Sequence, residues 1–72
     1  MAKDICVAFG ARIRQLRKER GWRQIDFAEE TGIHENYVTD LEQGKKEVCL
    51  RTLHKIAGAF KISMAELLKP LG

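Results

Sequence analysis

Residues 23–44 read RQIDFAEETGIHENYVTDLEQG, and the periodicity of this segment decides the fold. Apolar or small side chains recur at helical spacing before Gly32, and the periodicity returns a few residues after it, with the charged Glu42 as an exception. Gly32 can adopt the left-handed conformation that ends a helix, and Ile33 can then fill the angle between two helices. The segment predicts a helix-turn-helix layout, with inward-facing Phe27, Ala28 and Thr31 before the turn and Tyr37, Val38 and Leu41 after it.

The preceding residues predict a first helix over about residues 5–20, which Gly21 ends. Trp22 follows, where a large side chain can cover the open end of the core. We expect one face of this helix to be buried and the other to be hydrated: the inward face carries Phe9, Ile13, Leu16 and Arg20, and the outward face carries Arg12, Arg14, Lys18 and Glu19.

Two further helices are predicted after the glycine-linked pair. A three- and four-residue repeat indicates a fourth helix whose buried stripe is Leu50, Leu53, Ile56, Ala57 and Phe60. Ser63 and Glu66 have the spacing of a capping box, which predicts a fifth helix over about residues 64–69 that stops before Pro70. The expected fold is all-α, a compact five-helix single domain over residues 1–72 without strands.

Composition excludes several classes of protein. Apolar residues make up 44% of the chain and charged residues 32%, which is typical of a soluble globular protein. No apolar run approaches the roughly 20 residues of a membrane span, and the N-terminus shows no signal peptide. We therefore expect a cytoplasmic protein without a membrane partner. The net charge of +3 fits a polyanionic partner but does not demand one.

Neither a metal site nor a catalytic site is indicated. Cys6 and Cys49 lie in no zinc-like spacing, and we expect both to be small buried residues. There is no phosphate-cradling glycine loop and no nucleophile motif. We expect no metal, no cofactor and no enzymatic activity.

Around the turn, the second helix should begin near Gln24 with Arg23 at its cap, where a cation can reach a phosphate. The third helix should span about residues 35–43 with His34 as its N-cap. The polar side of this helix carries Glu35, Asn36, Thr39 and Asp40. These side chains can match hydrogen-bond donors and acceptors on base edges. The alternative, for any polar helix face, is plain solvation. Lys45 and Lys46 follow at once, in a place suited to holding the phosphate backbone.

With these residues in hand, the chain resembles the phage-repressor-like (lambda and 434 repressor, Cro, XRE-type) helix-turn-helix family, which includes restriction-modification controller proteins. The resemblance extends over nearly the whole chain. Its matching pieces are FGARIRQLR at 9–17, Gln24 with Phe27 and Ala28, YVTDLEQG at 37–44, TLHKIA at 52–57, and Ile62, Ser63 and Glu66 to Leu68. It implies a lambda-repressor-like DNA-binding domain.

The resemblance also implies roles for individual residues. Gln24 would hydrogen-bond a phosphate and brace the third helix, and Arg17 and Glu42 would form an inward salt bridge. Bases would be touched from His34, Glu35, Asn36 and Asp40, with Tyr37 and Thr39 as adjacent candidates. The chain departs from the family at Arg23 and His34 and in its two acids, Glu35 and Asp40. These acids could instead form a local ion pair with Arg23 or Lys45.

The expected function is transcriptional regulation by a homodimer that binds a palindromic operator in double-stranded DNA, on the nucleoid, with the third helix in the major groove. The C-terminal region is the expected dimer interface, through Ile62, Leu67, Leu68 and Leu71, although core packing explains some of these residues equally well. The alternative is an antitoxin-like or adaptor protein whose helix-turn-helix domain mainly binds a protein partner. The acidity of the third helix favours this alternative.

Overall fold

Helix α1 spans Ile5–Glu19 in the computed structural model, which describes residues 4–72. The Asp4 carboxylate accepts a hydrogen bond of 2.9 Å from the backbone N–H of Cys6 and so caps the first turn. The helix ends one residue before the predicted position, and Arg20 and Gly21 form the turn that follows. Met1–Lys3, which belong to the predicted single domain and to the N-terminus judged to lack a signal peptide, lie outside the described residues.

Helices α2 (Gln24–Thr31) and α3 (Glu35–Glu42) form the predicted helix-turn-helix. Gly32 has a φ of +75°, and its N–H donates to the Ala28 carbonyl at 2.8 Å, which closes α2. α3 ends at Glu42 and not at Gln43, which is its C-terminal cap residue. The glycine turn therefore fixes the direction in which α3 leaves α2.

Helices α4 (Leu50–Phe60) and α5 (Met64–Leu68) complete the fold, and a short 3-10 turn spans Lys69–Leu71. The Ser63 hydroxyl accepts a hydrogen bond of 2.9 Å from the N–H of Glu66, as the capping box predicts. α5 is one residue shorter than predicted, because Lys69 and Pro70 belong to the 3-10 turn. The all-α, five-helix prediction is confirmed, and residues 4–72 contain no strand.

All five helices contribute to one hydrophobic core. Trp22 covers one end of it as predicted, with its ring stacked on Phe60 at a centroid distance of 5.5 Å. Phe27 lies 5.3 Å from the same Phe60 ring. The buried apolar side chains are Phe9, Ile13, Leu16, Phe27, Ala28, Val38, Leu41, Ile56, Ala57, Phe60 and Leu67.

Two expectations about the start of α4 are wrong. Leu50 was placed in the buried stripe, but it is 72% exposed, because it is the first residue of α4 and lies one turn before Leu53, which packs against the core. Cys49 was expected to be buried, but it is exposed at the N-cap of α4. Its thiol lies 3.3 Å from the Thr52 hydroxyl, and hydrogen bonding to Thr52 lowers the pKa of Cys49. Cys6 is half-buried, and this burial raises its pKa.

Three arginines of α1 and its C-cap contact the C-terminal ends of other helices. Arg12 donates to the carbonyls of Glu66 and Leu67 in α5, at 3.0 and 3.1 Å. Arg20 donates to the Phe60 carbonyl of α4 at 2.7 Å, and Arg17 pairs with Glu42 at the end of α3. The last carbonyls of a helix lack intrahelical partners and carry a partial negative charge, which the guanidinium groups of Arg12 and Arg20 satisfy. Arg17 instead binds the side chain of Glu42.

These contacts correct the expected orientation of two arginines. Arg12 was expected to face solvent, but only 11% of its side chain is exposed. Arg20 was expected on the inward face with the leucines, but it is an exposed residue whose guanidinium carbon lies 4.9 Å from the centre of the Phe60 ring. Arg17 takes the buried position instead, because its head group has a carboxylate partner there.

Helix α1 approaches the end of α3 closely at Gly10. A Cβ at position 10 would collide with the Leu41 carbonyl oxygen and lie 2.7 Å from the Glu42 carbonyl oxygen. Both of these are backbone atoms, which cannot move aside without shifting α3. The missing side chain at Gly10 therefore sets the distance between α1 and α3.

Within residues 4–72, no helix has the combination of length and apolar character that crossing a membrane requires.

Candidate nucleic-acid interface

α3 has one buried side and one polar side. Val38 and Leu41 are fully buried, whereas Glu35 and Asn36 are exposed at the start of the helix. Thr39 and Asp40, one turn later, are half-buried. The predicted polar face therefore exists, and its most accessible part is the first turn of α3.

His34 caps the start of this helix. Its Nδ1 accepts a hydrogen bond of 3.1 Å from the N–H of Asn36, so the ring satisfies one of the free amides of the first turn. The predicted N-cap is thus confirmed, although histidine is not a preferred residue for it. His34 is an exposed residue, so this cap lies at the surface.

A hydrogen-bonded network of side chains joins α1, α2 and α3. The Arg17 guanidinium binds both carboxylate oxygens of Glu42, with Nε–Oε2 at 2.6 Å and Nη2–Oε1 at 3.1 Å. Only 10% of the Arg17 side chain and 5% of the Glu42 side chain are exposed. Arg17 also donates to the Trp22 carbonyl at 2.8 Å, which fixes the chain leading into α2. The ion pair implied by the family resemblance is therefore present, buried and bidentate.

Gln24 extends this network to the polar side of α3. Its amide nitrogen donates to Glu42 Oε1 at 3.1 Å, and its amide oxygen accepts from the Thr39 hydroxyl at 3.0 Å. Both ends of the Gln24 amide thus hold the first residue of α2 against α3. The second N–H of the amide remains for an external acceptor, so bracing and an outside contact are compatible.

The two hydroxyl groups of α3 have partners within the protein. The Thr39 hydroxyl, besides its bond to Gln24, lies 3.3 Å from the Glu35 carbonyl. The Tyr37 hydroxyl donates to the Glu47 carbonyl at 2.9 Å, and its ring is half-buried against the core. Tyr37 and Thr39 are therefore less free than the two side chains of the first turn, Glu35 and Asn36.

Arg23 is accessible but paired. Its side chain is 79% exposed, and its guanidinium binds Asp26, with Nε–Oδ2 and Nη2–Oδ1 both at 3.1 Å. Asp26 also accepts from the Arg23 N–H at 2.8 Å and so caps α2 in place of the usual N-cap side chain. The hydrogen bonds between the two side chains lower the pKa of Asp26 and raise the pKa of Arg23.

The alternative role of Glu35 or Asp40, an ion pair with Arg23 or Lys45, is absent among residues 4–72. Arg23 pairs with Asp26, which lies three residues along the same helix and is closer than either acid of α3. Lys45 meets Asp40 only through the backbone, where its N–H donates to the Asp40 carbonyl at 2.9 Å. Lys45 and Lys46 are exposed beside α3, and no salt bridge among the described residues includes them.

The expected dimer residues are not on one surface. Leu67 is fully buried in the core, so its assignment to an interface is wrong. Leu68 and Leu71 line an open groove of about 490 Å³, which we call the α1–α5 groove, and Ile62 does not line it. The apolar walls of this groove are Ile5, Phe9, Val48, Leu53, Leu68 and Leu71.

Sequence reasoning missed three features of this surface. The first is the cap that Asp26 forms at the start of α2. The sequence carries a signal for it, since an acid at the third helical position is a known cap partner. Ile5 lies four residues before Phe9, a spacing that extends the apolar face of α1 to the groove. The acceptor role of the Glu47 carbonyl has no sequence signal, because any residue supplies a carbonyl.

A helix-turn-helix family model matches residues 13–67 of the chain. This range begins within α1, contains α2, α3 and α4, and continues into α5. The chain belongs to the helix-turn-helix family. The resemblance recognised from the sequence is thereby confirmed.

Relatives of this helix-turn-helix protein are regulators and control proteins. The control protein C.MunI of Mycoplasma sp is 35% identical over 65 residues, which are 89% of this chain and 88% of that protein. The HTH-type transcriptional regulator DdrOP3 of Deinococcus deserti is 40% identical over 58 residues, which are 81% of this chain but 45% of that regulator. The chain thus spans less than half the length of this second relative.

Solved structures agree with this assignment. The restriction-modification controller protein C.AhdI of Aeromonas hydrophila has a TM-score of 0.82 and 37% sequence identity, and the match covers 86% of this chain and 94% of that one. The clp gene regulator ClgR of Corynebacterium glutamicum has a TM-score of 0.86 and 29% identity. The family is one of transcriptional regulators and controllers, not of enzymes.

Proposed function

We propose that this helix-turn-helix protein is a sequence-specific regulator of transcription that binds double-stranded DNA through α3 in the major groove. The observation that carries the proposal is the mounting of α3: an accessible polar first turn on a helix whose other side is buried and whose end is held by the Arg17–Glu42–Gln24 network. A helix fixed in this way can enter a groove without losing further conformational freedom, since its orientation is already set.

Base reading is assigned to the exposed start of the helix. We propose that His34, Glu35 and Asn36 lie nearest to the bases, since the Asn36 amide can pair with adenine and a carboxylate can accept a bond from cytosine N4. Asp40, which is half-buried, lies further along the same side. Thr39 keeps its hydroxyl bond to Gln24 and thereby supports this face.

Phosphate contacts are assigned to the residues that flank α3. Lys45 and Lys46 are exposed cations just beyond its C-terminal end, and Arg23 is an exposed cation at the start of α2. The free N–H of the Gln24 amide is a further donor. These contacts would hold the backbone on both sides of the groove and carry no sequence information themselves.

We further propose that two copies bind a palindromic operator in the cytoplasm, with half-sites about 34 Å apart. The α1–α5 groove is the surface that supports self-association, since its walls are mainly apolar, although Lys46 and Glu47 also line it, and Ile5 is 59% exposed. Of the C-terminal residues predicted from the sequence, Leu68 and Leu71 belong to this proposed interface, whereas Leu67 does not. Residues 1–72 would act as one domain in this arrangement.

The second candidate is an antitoxin-like or adaptor protein that mainly binds another protein. It is favoured by two acids of α3 without an ion-pair partner among residues 4–72, the exposed Glu35 and the half-buried Asp40. Carboxylates on the approach to a phosphate backbone oppose binding unless each accepts a hydrogen bond.

Titration of the protein with duplex DNA at several salt concentrations separates the two candidates. If Arg23, Lys45 and Lys46 of both copies neutralise phosphates, log K should fall with log salt with a slope of about −5. Selection of bound duplexes from a random pool should then return an inverted repeat. Absence of any DNA complex at low salt would overturn the proposal in favour of the protein-binding candidate.

A further inference from the structure

The residues Lys45–Cys49 form an irregular segment between α3 and α4, and they carry the two lysines assigned to phosphate contact. Cations on a mobile segment bind phosphates weakly, because the segment must be ordered when it binds. What fixes this segment therefore affects DNA affinity.

At the far end of the segment the Cys49 carbonyl accepts from the Leu53 N–H at 3.0 Å, and three contacts hold residues 45–48, which carry the lysines. The Lys45 N–H donates to the Asp40 carbonyl at 2.9 Å, and Val48 packs against the core. The third contact lies between them, where the Tyr37 hydroxyl donates to the Glu47 carbonyl at 2.9 Å. Among the described residues, Tyr37 is the one residue of α3 whose side chain bonds to this segment.

We propose that Tyr37 is a positioning residue that fixes Lys45 and Lys46 for phosphate contact, and that it does not read bases. Its half-buried ring is anchored in the core, and its hydroxyl is committed to a residue adjacent to Lys46. The hydroxyl thus transmits the orientation of α3 to the segment that follows it. This inference rests on the proposed DNA-binding function and assigns Tyr37 a role different from that of Asn36.

The test is Tyr37→Phe, which keeps the ring and removes the hydroxyl. Backbone ¹⁵N order parameters should fall in residues 45–49 and stay unchanged in α4. Affinity for the selected operator and for random duplex should both fall by the same factor, between about twofold and tenfold, as expected for one ordinary hydrogen bond. Ser63→Ala, which removes a hydrogen bond at the start of α5, is the matched control and should leave DNA affinity unchanged.

A double-mutant cycle makes the test specific. In a Lys45→Ala/Lys46→Ala background, Tyr37→Phe should have almost no further effect on affinity. A changed base preference, or the same loss of affinity without the lysines, would overturn the inference. Unchanged order parameters in residues 45–49 would also overturn it, and this measurement needs no DNA. If the parent protein bound no DNA, the proposed function would fail, and the order parameters would still show whether the Tyr37 hydroxyl fixes residues 45–49.

Discussion

Glu42 illustrates how one carboxylate can be held inside a small helical protein. It accepts two hydrogen bonds from Arg17 and one from Gln24, so its charge is paired and both oxygens have donors. The surface pair of Arg23 and Asp26 has similar geometry but remains hydrated. Burial therefore separates the two pairs energetically, since a buried charge that loses its partner cannot turn to water.

Glu42→Ala should lower the free energy of unfolding by about 3–5 kcal/mol, because Arg17 would keep a buried charge without a counter-charge. Urea denaturation followed by far-ultraviolet circular dichroism measures the change. Arg23→Ala is the control, since it breaks an exposed pair and should produce a much smaller change. A midpoint for Glu42→Ala equal to that of the parent protein would refute the structural role of the pair.

Asn36 and Lys45 should respond differently to truncation. Asn36→Ala should cost about 1–3 kcal/mol at one base position and alter which sequence is preferred. Lys45→Ala should weaken all duplexes alike and reduce the salt slope by about 1. Competition titrations with single-base operator variants measure both effects. A uniform loss from both substitutions would contradict the division into reading and anchoring residues.

Single residues differ in how well the sequence predicts them. The pair Arg17–Glu42 came from the family resemblance, and the structure contains it. The role of Arg12 could not be predicted, because its acceptors lie 54 and 55 residues away and are backbone carbonyls. The prediction that Leu50 is buried is wrong because periodicity shows which side of a helix is apolar, but not at which turn of the helix the core ends.

At the scale of helices, the close approach of α1 to α3 depends on a glycine. Gly10→Ala should cost about 1–3 kcal/mol, since its methyl group meets carbonyl oxygens at the end of α3 and forces the helices apart. Thermal unfolding measures the cost. Gly58→Ala in α4 is the matched control, because no atom outside its chain neighbours and the backbone of α4 lies within 4 Å of its added Cβ, and it should stabilise by roughly 0.5–1 kcal/mol. Equal stability of the two variants would contradict the assigned role of Gly10.

The start of α2 should be sensitive to acid. Its cap is the Asp26 carboxylate, whose pKa is lowered by hydrogen bonding to Arg23 below the ordinary value of 3.8. A lowered pKa in the folded protein contributes stability above the unfolded pKa and loses it as pH falls through the folded pKa. Asp26→Asn should therefore lower stability at neutral pH and flatten its decline below pH 4. An unchanged acid limb in the denaturation profile would show that the cap contributes nothing.

The helices themselves were largely predictable, because their signals are local. Gly32 and the Ser63 cap mark boundaries within a few residues of chain, and the structure has them there. The ends of α1, α3 and α5 each moved by one residue, because the final turn depends on capping partners as well as on periodicity. The polar side of α3 was predicted, but its internal hydroxyl bonds were not, since they depend on where α2 and residue 47 lie.

For the whole molecule, the net charge of +3 does not show which cations bind groups within the protein and which remain exposed. Arg12, Arg17 and Arg20 bind carbonyls and a carboxylate within the protein. The other cations of residues 4–72 are exposed on several helices, and those that flank the helix-turn-helix are Arg23, Lys45 and Lys46. Composition predicted a weak attraction to polyanions, and the structure shows which cations remain exposed. The α1–α5 groove differs from these charged surfaces, because its walls are mainly apolar.

Self-association through this groove should be abolished by a charge at its edge. Ile5→Glu should convert a dimer to a monomer, because Ile5 is 59% exposed yet lines the groove. Leu50→Glu is the matched control, since Leu50 is 72% exposed but does not line it. Sedimentation equilibrium of both variants and the parent measures the change. A dimer that survives Ile5→Glu, or a loss with Leu50→Glu alone, would exclude the groove as the interface.

The attachment of the helix-turn-helix to α1 limits how it can be re-used in protein engineering. A chimaera that received only residues 23–44 would lack the guanidinium that neutralises Glu42 and the backbone carbonyl of Trp22 that Arg17 binds. Transplanting DNA specificity into another host should therefore exchange only the exposed first turn of α3, and leave the donor's buried glutamate and its scaffold behind.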